Sequence, residues 1–95
     1  MIDKLVHEPA RLLILGYLAA VDSADFVFLL TQCNLSRGNL SSHMTKLDAA
    51  GYVHVEKIFV DKIPRTVYRL THAGRKAFKA YLAQMNRVLK QIDKI

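Results

Sequence analysis

The sequence lacks the cysteine pairs of an oxidising compartment and the long apolar runs of a membrane protein. Among its 95 residues there are one cysteine, no tryptophan, 2 prolines and 4 glycines. A single cysteine cannot form an internal disulfide, which predicts a reducing, cytoplasmic environment. The chain has no long uncharged apolar run, so we expect no transmembrane helix and no membrane partner. Its first ten residues do not have the layout of a signal peptide.

Negative charge is also scarce. Lys and Arg number 14 against 8 for Asp and Glu, a formal net charge of +6. A positive field favours polyanionic partners such as DNA, RNA or an anionic membrane surface, although it can also serve solubility alone. Hydrophobic residues make up 52% of the chain, enough for a folded core. For so short a chain this fraction predicts apolar surface left over for an oligomer contact.

The signatures of an enzyme or a metal site are missing. We recognise no nucleophile–base arrangement, no phosphate-binding glycine loop and no pair of carboxylates, so we expect neither catalysis nor a cofactor. No two of the four histidines stand at the i, i+4 spacing of a helical metal site, and no Cys-x-Cys pair is present. His43 is expected to pack beside the core or to flank a binding surface. Cys33 suggests redox sensing only if it is exposed, and a buried free thiol is the commoner arrangement.

The first half of the chain predicts three helices. The first runs from about Glu8 to Ala20, and a polar break over residues 21–25 separates it from a short helix over 26–32. The third is capped by Ser36 and ended by Gly51. Its apolar residues Leu40, Met44 and Leu47 share one stripe, while small polar and basic side chains occupy the opposite face. Two helices joined by a few residues, the second amphipathic, form a helix-turn-helix layout.

The second half predicts a hairpin followed by a long helix. Residues 52–60 and 65–70 are rich in β-branched and aromatic residues, with a polar break at 61–64 that gives the hairpin a basic tip. Thr71 caps a helix that runs to near the end of the chain. Apolar residues recur along it with coiled-coil-like spacing, and its second half is predicted to form a dimer contact. The alternative is that it folds back along the first helix. The predicted dimer residues are Phe78, Tyr81, Leu82, Met85, Val88, Leu89 and Ile92.

Three fragments in this order carry a family resemblance: HEPARL at 7–12, NLSSHMTKL leading into AGYV at 39–53, and PRTVYRLTHAGR at 64–75. Together they resemble the small stand-alone winged-helix regulators of the MarR/ArsR-like group, from residue 7 to about 82. The resemblance implies a mainly α, α+β fold in one domain over residues 1–95. The helix-turn-helix would span about 26–51, a two-stranded wing about 52–70 and a dimerisation helix about 72–95.

The resemblance also implies a homodimeric transcriptional regulator of double-stranded DNA, with its recognition helix in the major groove and its wing at the minor groove. Arg37 and Lys46 can reach phosphates or guanine edges, and Asn39 suits adenine. The small residues allow close backbone approach, and the helix start offers amides to a phosphate. The expected DNA contacts are Ser36, Arg37, Gly38, Asn39, Ser41, Ser42, Thr45, Lys46 and, at the hairpin tip, Lys62 and Arg65.

The sequence leaves the mode of regulation and one competing function as alternatives. A repressor acting by occlusion would place two recognition helices about 34 Å apart on a near-palindromic site. An unidentified small-molecule effector would then bind between the terminal helices and the helix-turn-helix. The competing function is a winged-helix protein-interaction module without DNA-binding activity, since a fold does not fix a function. Steep weakening of binding with salt distinguishes DNA binding from that module.

Overall fold

Each of the four helices among the described residues begins with a side-chain oxygen that accepts a backbone hydrogen bond. In a computed structural model that describes residues 2–95, the predicted helices and hairpin strands follow the expected order, with one additional short strand, β1. They are α1 Pro9–Ala20, β1 Ala24–Asp25, α2 Phe26–Cys33, α3 Arg37–Ala49, β2 Val53–Val60, β3 Ile63–Leu70 and α4 His72–Asp93. The predicted caps are present: Ser36 Oγ accepts from the Asn39 N–H at 3.1 Å, and Thr71 Oγ1 accepts from the Gly74 N–H at 3.0 Å. Each cap satisfies one N–H that the helix itself leaves unpaired.

The sheet has three strands in the order β1-β3-β2, all antiparallel. The hairpin differs from the prediction, because its connection is only Asp61–Lys62, with Val60 and Ile63 forming the last pair. Both turn residues have positive φ, 51° and 67°, as a two-residue type I′ turn requires. Pro64 is tolerated inside β3 because the short β1 leaves the far edge of β3 free at this point.

Strand β1 lies in the segment that was predicted as a polar break. Ala24 pairs with Tyr68 and Asp25 pairs with Val67, which adds a third strand to the hairpin. Two residues are too few for an alternating pattern to be recognised in the sequence. The strand matters here because it fixes the start of α2 against the base of the wing.

The core lies between α1, α2, α3 and the base of the hairpin. The predicted stripe of α3 is confirmed, since Leu40, Met44 and Leu47 are all buried. They meet fully buried Ile14, Leu15, Leu18 and Leu29 from α1 and α2. Complete burial of a leucine stabilises the fold by about 2 kcal/mol, so this stripe fixes which face of α3 points away from the protein.

The first half of α4 is fixed to its own chain. Thr71 Oγ1 donates to the Gly51 carbonyl at 2.6 Å, and a Cβ on Gly74 would lie 2.1 Å from the Tyr52 carbonyl oxygen. Tyr81, which was expected at the dimer contact, is instead buried in this core with its hydroxyl 2.6 Å from His7 Nδ1. Phe78 and Met85 are partly buried against the same core.

The second half of α4 extends beyond the body of the molecule, whose extents are 56 × 25 × 20 Å. Its remaining apolar residues are exposed, with Leu89 and Ile92 each 56% accessible. This half therefore does not fold back along α1. Within residues 2–95, no helix has both the length and the apolar character needed to cross a bilayer.

Candidate nucleic-acid interface

The outward face of α3 carries every residue predicted there to contact DNA. All are exposed: Ser36, Arg37, Gly38, Asn39, Ser41, Ser42, Thr45 and Lys46. No acidic side chain interrupts this run. The Thr45 hydroxyl donates to the Ser41 carbonyl at 2.8 Å, so its oxygen is left to accept rather than to donate. The face is polar and weakly basic with mostly small side chains, which suits close approach to the floor of a groove.

Arg37 is held at the beginning of α3 by an aromatic ring. Its guanidinium lies over Phe26 of α2, 5.7 Å from the ring centroid, within the range of a cation–π interaction. The contact orients the charge towards the space between α3 and the wing. This contact is not predictable from the sequence, because nothing local links residues 26 and 37.

The wing carries its charges differently from the prediction. Arg65 was expected at the tip, but it pairs with Ile58, in the third pair from the turn, and its Nη1 lies 3.0 Å from Asp25 Oδ2. Lys62 does stand at the tip, beside Asp61, so the turn itself has no net charge. The tip is apolar rather than basic, with Phe59 74% and Ile63 58% exposed.

A cleft separates the beginning of α3 from the wing, and we call it the wing cleft. It has a volume of about 380 Å³. Its walls contain two arginines and one carboxylate. The lining residues are Asp25, Phe26, Val27, Arg37, Ile63, Pro64, Arg65 and Thr66. A concave space with two guanidinium groups, next to the exposed face of α3, is suited to an anion.

A polar cluster joins the beginning of α1 to the back of α3. His43 Nδ1 lies 3.1 Å from Arg11 Nη1 and 3.4 Å from Glu8 Oε2. Partial burial pushes the pKa of Glu8 upwards, but the backbone N–H donors of Ala10 and Arg11 and the charges of His43 and Arg11 together lower it. The carboxylate therefore stays ionised at neutral pH, and its contact with His43 links the beginning of α1 to α3.

Cys33 closes α2 inside the core and is 6% exposed. Burial raises the pKa of its thiol, which leaves little reactive thiolate at neutral pH. Among residues 2–95, no three His, Cys, Asp or Glu side chains gather as candidate metal ligands.

Two further surfaces were not singled out from the sequence. One face of α4 carries five cations, Arg75, Lys76, Lys79, Arg87 and Lys90, and none of them joins an ion pair in the described part of the chain. A shallow apolar groove of about 340 Å³ runs along α1 over Leu12, Leu13, Gly16, Tyr17 and Ala20. The cations strengthen the positive field that attracts a polyanion.

Comparison with known proteins points the same way. Residues 10–89 match the family described as a winged helix DNA-binding domain. The uncharacterized protein MJ0432 of Methanocaldococcus jannaschii is 31% identical over 90 residues, 95% of this chain and 98% of its own. A transcriptional regulator homologue from Pyrococcus horikoshii superposes with a TM-score of 0.90 at 31% identity, covering 96% of this chain and 90% of that one. A MarR-family regulator from Silicibacter pomeroyi gives 0.71 at 26% identity, covering 94% and 59%.

Proposed function

Because the chain belongs to the winged helix DNA-binding domain family, and its fold is that of a MarR-like transcription regulator, we propose that it binds double-stranded DNA as a homodimer and controls transcription in the cytoplasm. One observation carries the proposal. A buried stripe fixes α3 so that its small polar and basic residues face outwards, with the wing beside them. The protein acts as a single domain over residues 1–95, without catalytic activity.

The residues of α3 divide into two roles on DNA. Asn39 pairs its amide with an adenine edge, while Ser41, Ser42 and Thr45 allow the helix to approach the bases. Arg37 and Lys46 contact phosphates or guanine, and the amides at Ser36 and Gly38 receive a phosphate. Lys62, at the tip of the wing, reaches the adjacent minor groove.

The dimer contact is formed by the exposed apolar residues of α4, which are Leu82, Val88, Leu89 and Ile92 of each copy. An interface between two identical chains places two α3 helices on successive major grooves, about 34 Å apart. Binding at such a site represses transcription by occluding it. The apolar groove along α1 has no charged residue in its lining, and a small-molecule effector would bind there.

A protein-interaction module is the second candidate, but the outward face of α3 does not favour it. Such a module would present an apolar or acidic surface, whereas the exposed residues of α3 up to Lys46 are small, polar or basic. The two functions also differ in their response to salt, since phosphate contacts release counterions on binding.

The test is a fluorescence-anisotropy titration of random-sequence duplex DNA at about 50 and 200 mM salt. With several phosphate contacts, the wild type should lose roughly a hundredfold or more in affinity across this range. Lys46→Gln should lower the slope of log K against log salt by about 1, because one phosphate contact is lost. Its control is Lys90→Gln, the same change at an exposed position of α4 that contributes to the overall field but is not among the proposed phosphate contacts. It should change the slope much less than Lys46→Gln does.

Base recognition is tested on a site selected from a random duplex pool. Asn39→Ala should weaken binding to that site by about 1–3 kcal/mol and relax the sequence preference. The matched control, Asn86→Ala, removes the same amide from α4 and should have no such effect. If the wild type does not bind DNA at low salt while light scattering shows a dimer, the interaction module becomes the better account.

A further inference from the structure

Asp25 makes two different contacts with its two carboxylate oxygens. Oδ1 accepts from the Phe28 N–H at 2.7 Å and caps α2, while Oδ2 lies 3.0 Å from Arg65 Nη1. The second contact follows from the sheet register. Asp25 pairs with Val67 across β1 and β3, so Arg65, two residues along β3, is its diagonal neighbour on the same face. The sheet thus holds a carboxylate against the guanidinium that faces the wing cleft.

The Asp25–Arg65 pair is open to solvent and lies where DNA would approach. Its side chains are 27% and 43% exposed, and both line the wing cleft. Arg37 lines the same cleft from the side of α3, oriented by the ring of Phe26. The cleft therefore has two guanidinium groups, one of which is already engaged by a carboxylate.

A guanidinium binds carboxylate and phosphate oxygens through the same planar arrangement of N–H donors. An exposed ion pair of this kind contributes little to folding, so a phosphate can replace the carboxylate without disturbing the fold. The carboxylate then remains close to the incoming anion and opposes it. Asp25 consequently has a role beyond capping α2.

We propose that the wing cleft binds one DNA backbone phosphate through Arg37 and Arg65. In the free protein, Asp25 forms an ion pair with Arg65 and so competes with that phosphate. The proposal rests on the DNA-binding function proposed above. Arg65 would therefore contact the DNA backbone from the wing cleft, instead of entering the minor groove from the tip of the wing. The competition from Asp25 also means that the affinity for DNA is lower than the two arginines alone would provide.

The substitution Asp25→Asn separates the two roles of this side chain. Asparagine is as good a helix cap as aspartate, so α2 keeps its start, but the charge facing Arg65 is removed. We expect DNA to bind roughly three- to tenfold more tightly at about 50 mM salt, with a salt slope steeper by up to about 1. A residue that only held Arg65 in place would give weaker binding when it is changed.

Asp22→Asn is the matched control, because Asp22 is exposed three residues earlier and its loss changes the net charge equally. It should alter the affinity less than twofold. Arg65→Ala should weaken binding, and adding Asp25→Asn to Arg65→Ala should no longer give the gain, since the competitor has nothing left to occupy. Circular dichroism of each variant at the binding temperature confirms that it is folded.

The outcomes separate this inference from the proposed function. If the wild type binds DNA with a steep salt slope but Asp25→Asn binds no better than Asp22→Asn, the competitor role of Asp25 is wrong and the proposed function stands. The same holds if the gain persists in the Arg65→Ala background. If neither the wild type nor Asp25→Asn binds DNA at low salt, the proposed function itself is overturned, and this inference with it.

Discussion

The two halves of α4 share one helix and one apolar pattern, but they meet different surroundings. In the first half, Gly74 lies against the Tyr52 carbonyl and Tyr81 is 4% exposed. In the second half, Leu89 and Ile92 are each 56% exposed. The spacing of apolar residues continues across the boundary between the halves. A periodic pattern therefore identifies an apolar face, but it does not tell which surface covers that face.

The boundary falls where the body of the molecule ends. Phe78 and Met85 still reach the core, whereas Leu82, between them in sequence, is 48% exposed on the other side of the stripe. Beyond this point the helix has no further element of its own chain to pack against. The first half is thus tied to the stability of the monomer, and the second half to the proposed dimer.

The largest expected loss of stability comes from disrupting the close contact between Gly74 and the Tyr52 carbonyl in the first half of α4. Gly74→Ala places a Cβ against the Tyr52 carbonyl oxygen, so either α4 or the backbone that leads into β2 must move. We expect a loss of about 3 kcal/mol in the free energy of unfolding, measured by urea denaturation. Gly16→Ala in α1 is the control, because its Cβ would meet open space. That variant should be as stable as the wild type or slightly more stable.

Substitutions in the second half of α4 should affect the stability of the monomer less, but they should strongly weaken the proposed dimer. The double change Leu89→Ser and Ile92→Ser removes two exposed apolar side chains and should convert the dimer to a monomer in analytical ultracentrifugation. The unfolding midpoint should then lose its dependence on protein concentration. Phe78→Ser in the first half provides the contrast, since it should lower stability at every concentration. A double variant that stays dimeric would place the dimer contact elsewhere.

The smallest loss of stability is expected from removing a single hydrogen bond in the first half of α4. Tyr81→Phe removes the hydroxyl that lies 2.6 Å from His7 Nδ1 and ties the first half of α4 to the N-terminal segment. The cost should be about 1 kcal/mol, because exposed His7 can turn to water. Tyr17→Phe is the control, since Tyr17 contacts Phe28 through its ring alone. Equal stabilities of the two variants in thermal unfolding would contradict a structural role for the Tyr81 hydroxyl.

The features that the sequence predicted correctly are those determined by neighbouring residues. Ser36 and Thr71 cap their helices through bonds that span three residues, and the Leu40, Met44 and Leu47 stripe needs only the helical period. The exposed face of α3 follows from the same period. These signals are local, so the helix boundaries and the outward residues could be read without knowing the fold.

The features that were missed depend on contacts between distant residues or on an unusual turn. The pairing of Asp25 with Arg65 spans 40 residues, and the contact of Arg37 with Phe26 crosses between two helices. The connection of the hairpin contains no glycine to mark a two-residue turn, so the sequence predicts a longer connection with Arg65 at its tip. The burial of Tyr81 depends on where α1 and the N-terminal segment lie, which the pattern of α4 alone does not contain.

The turn at the tip of the wing has a consequence for how the wing moves. Asp61 and Lys62 both adopt the left-handed conformation, which costs residues other than glycine about 1–2 kcal/mol each. Opening the last pair, Val60 and Ile63, releases that strain, whereas the base of β3 is held between two strands. Local opening therefore begins at the tip, and backbone amides there exchange their hydrogens sooner than those at the base. In the proposed DNA complex, this would let the wing adjust to the width of a groove while α3 and the core stay folded.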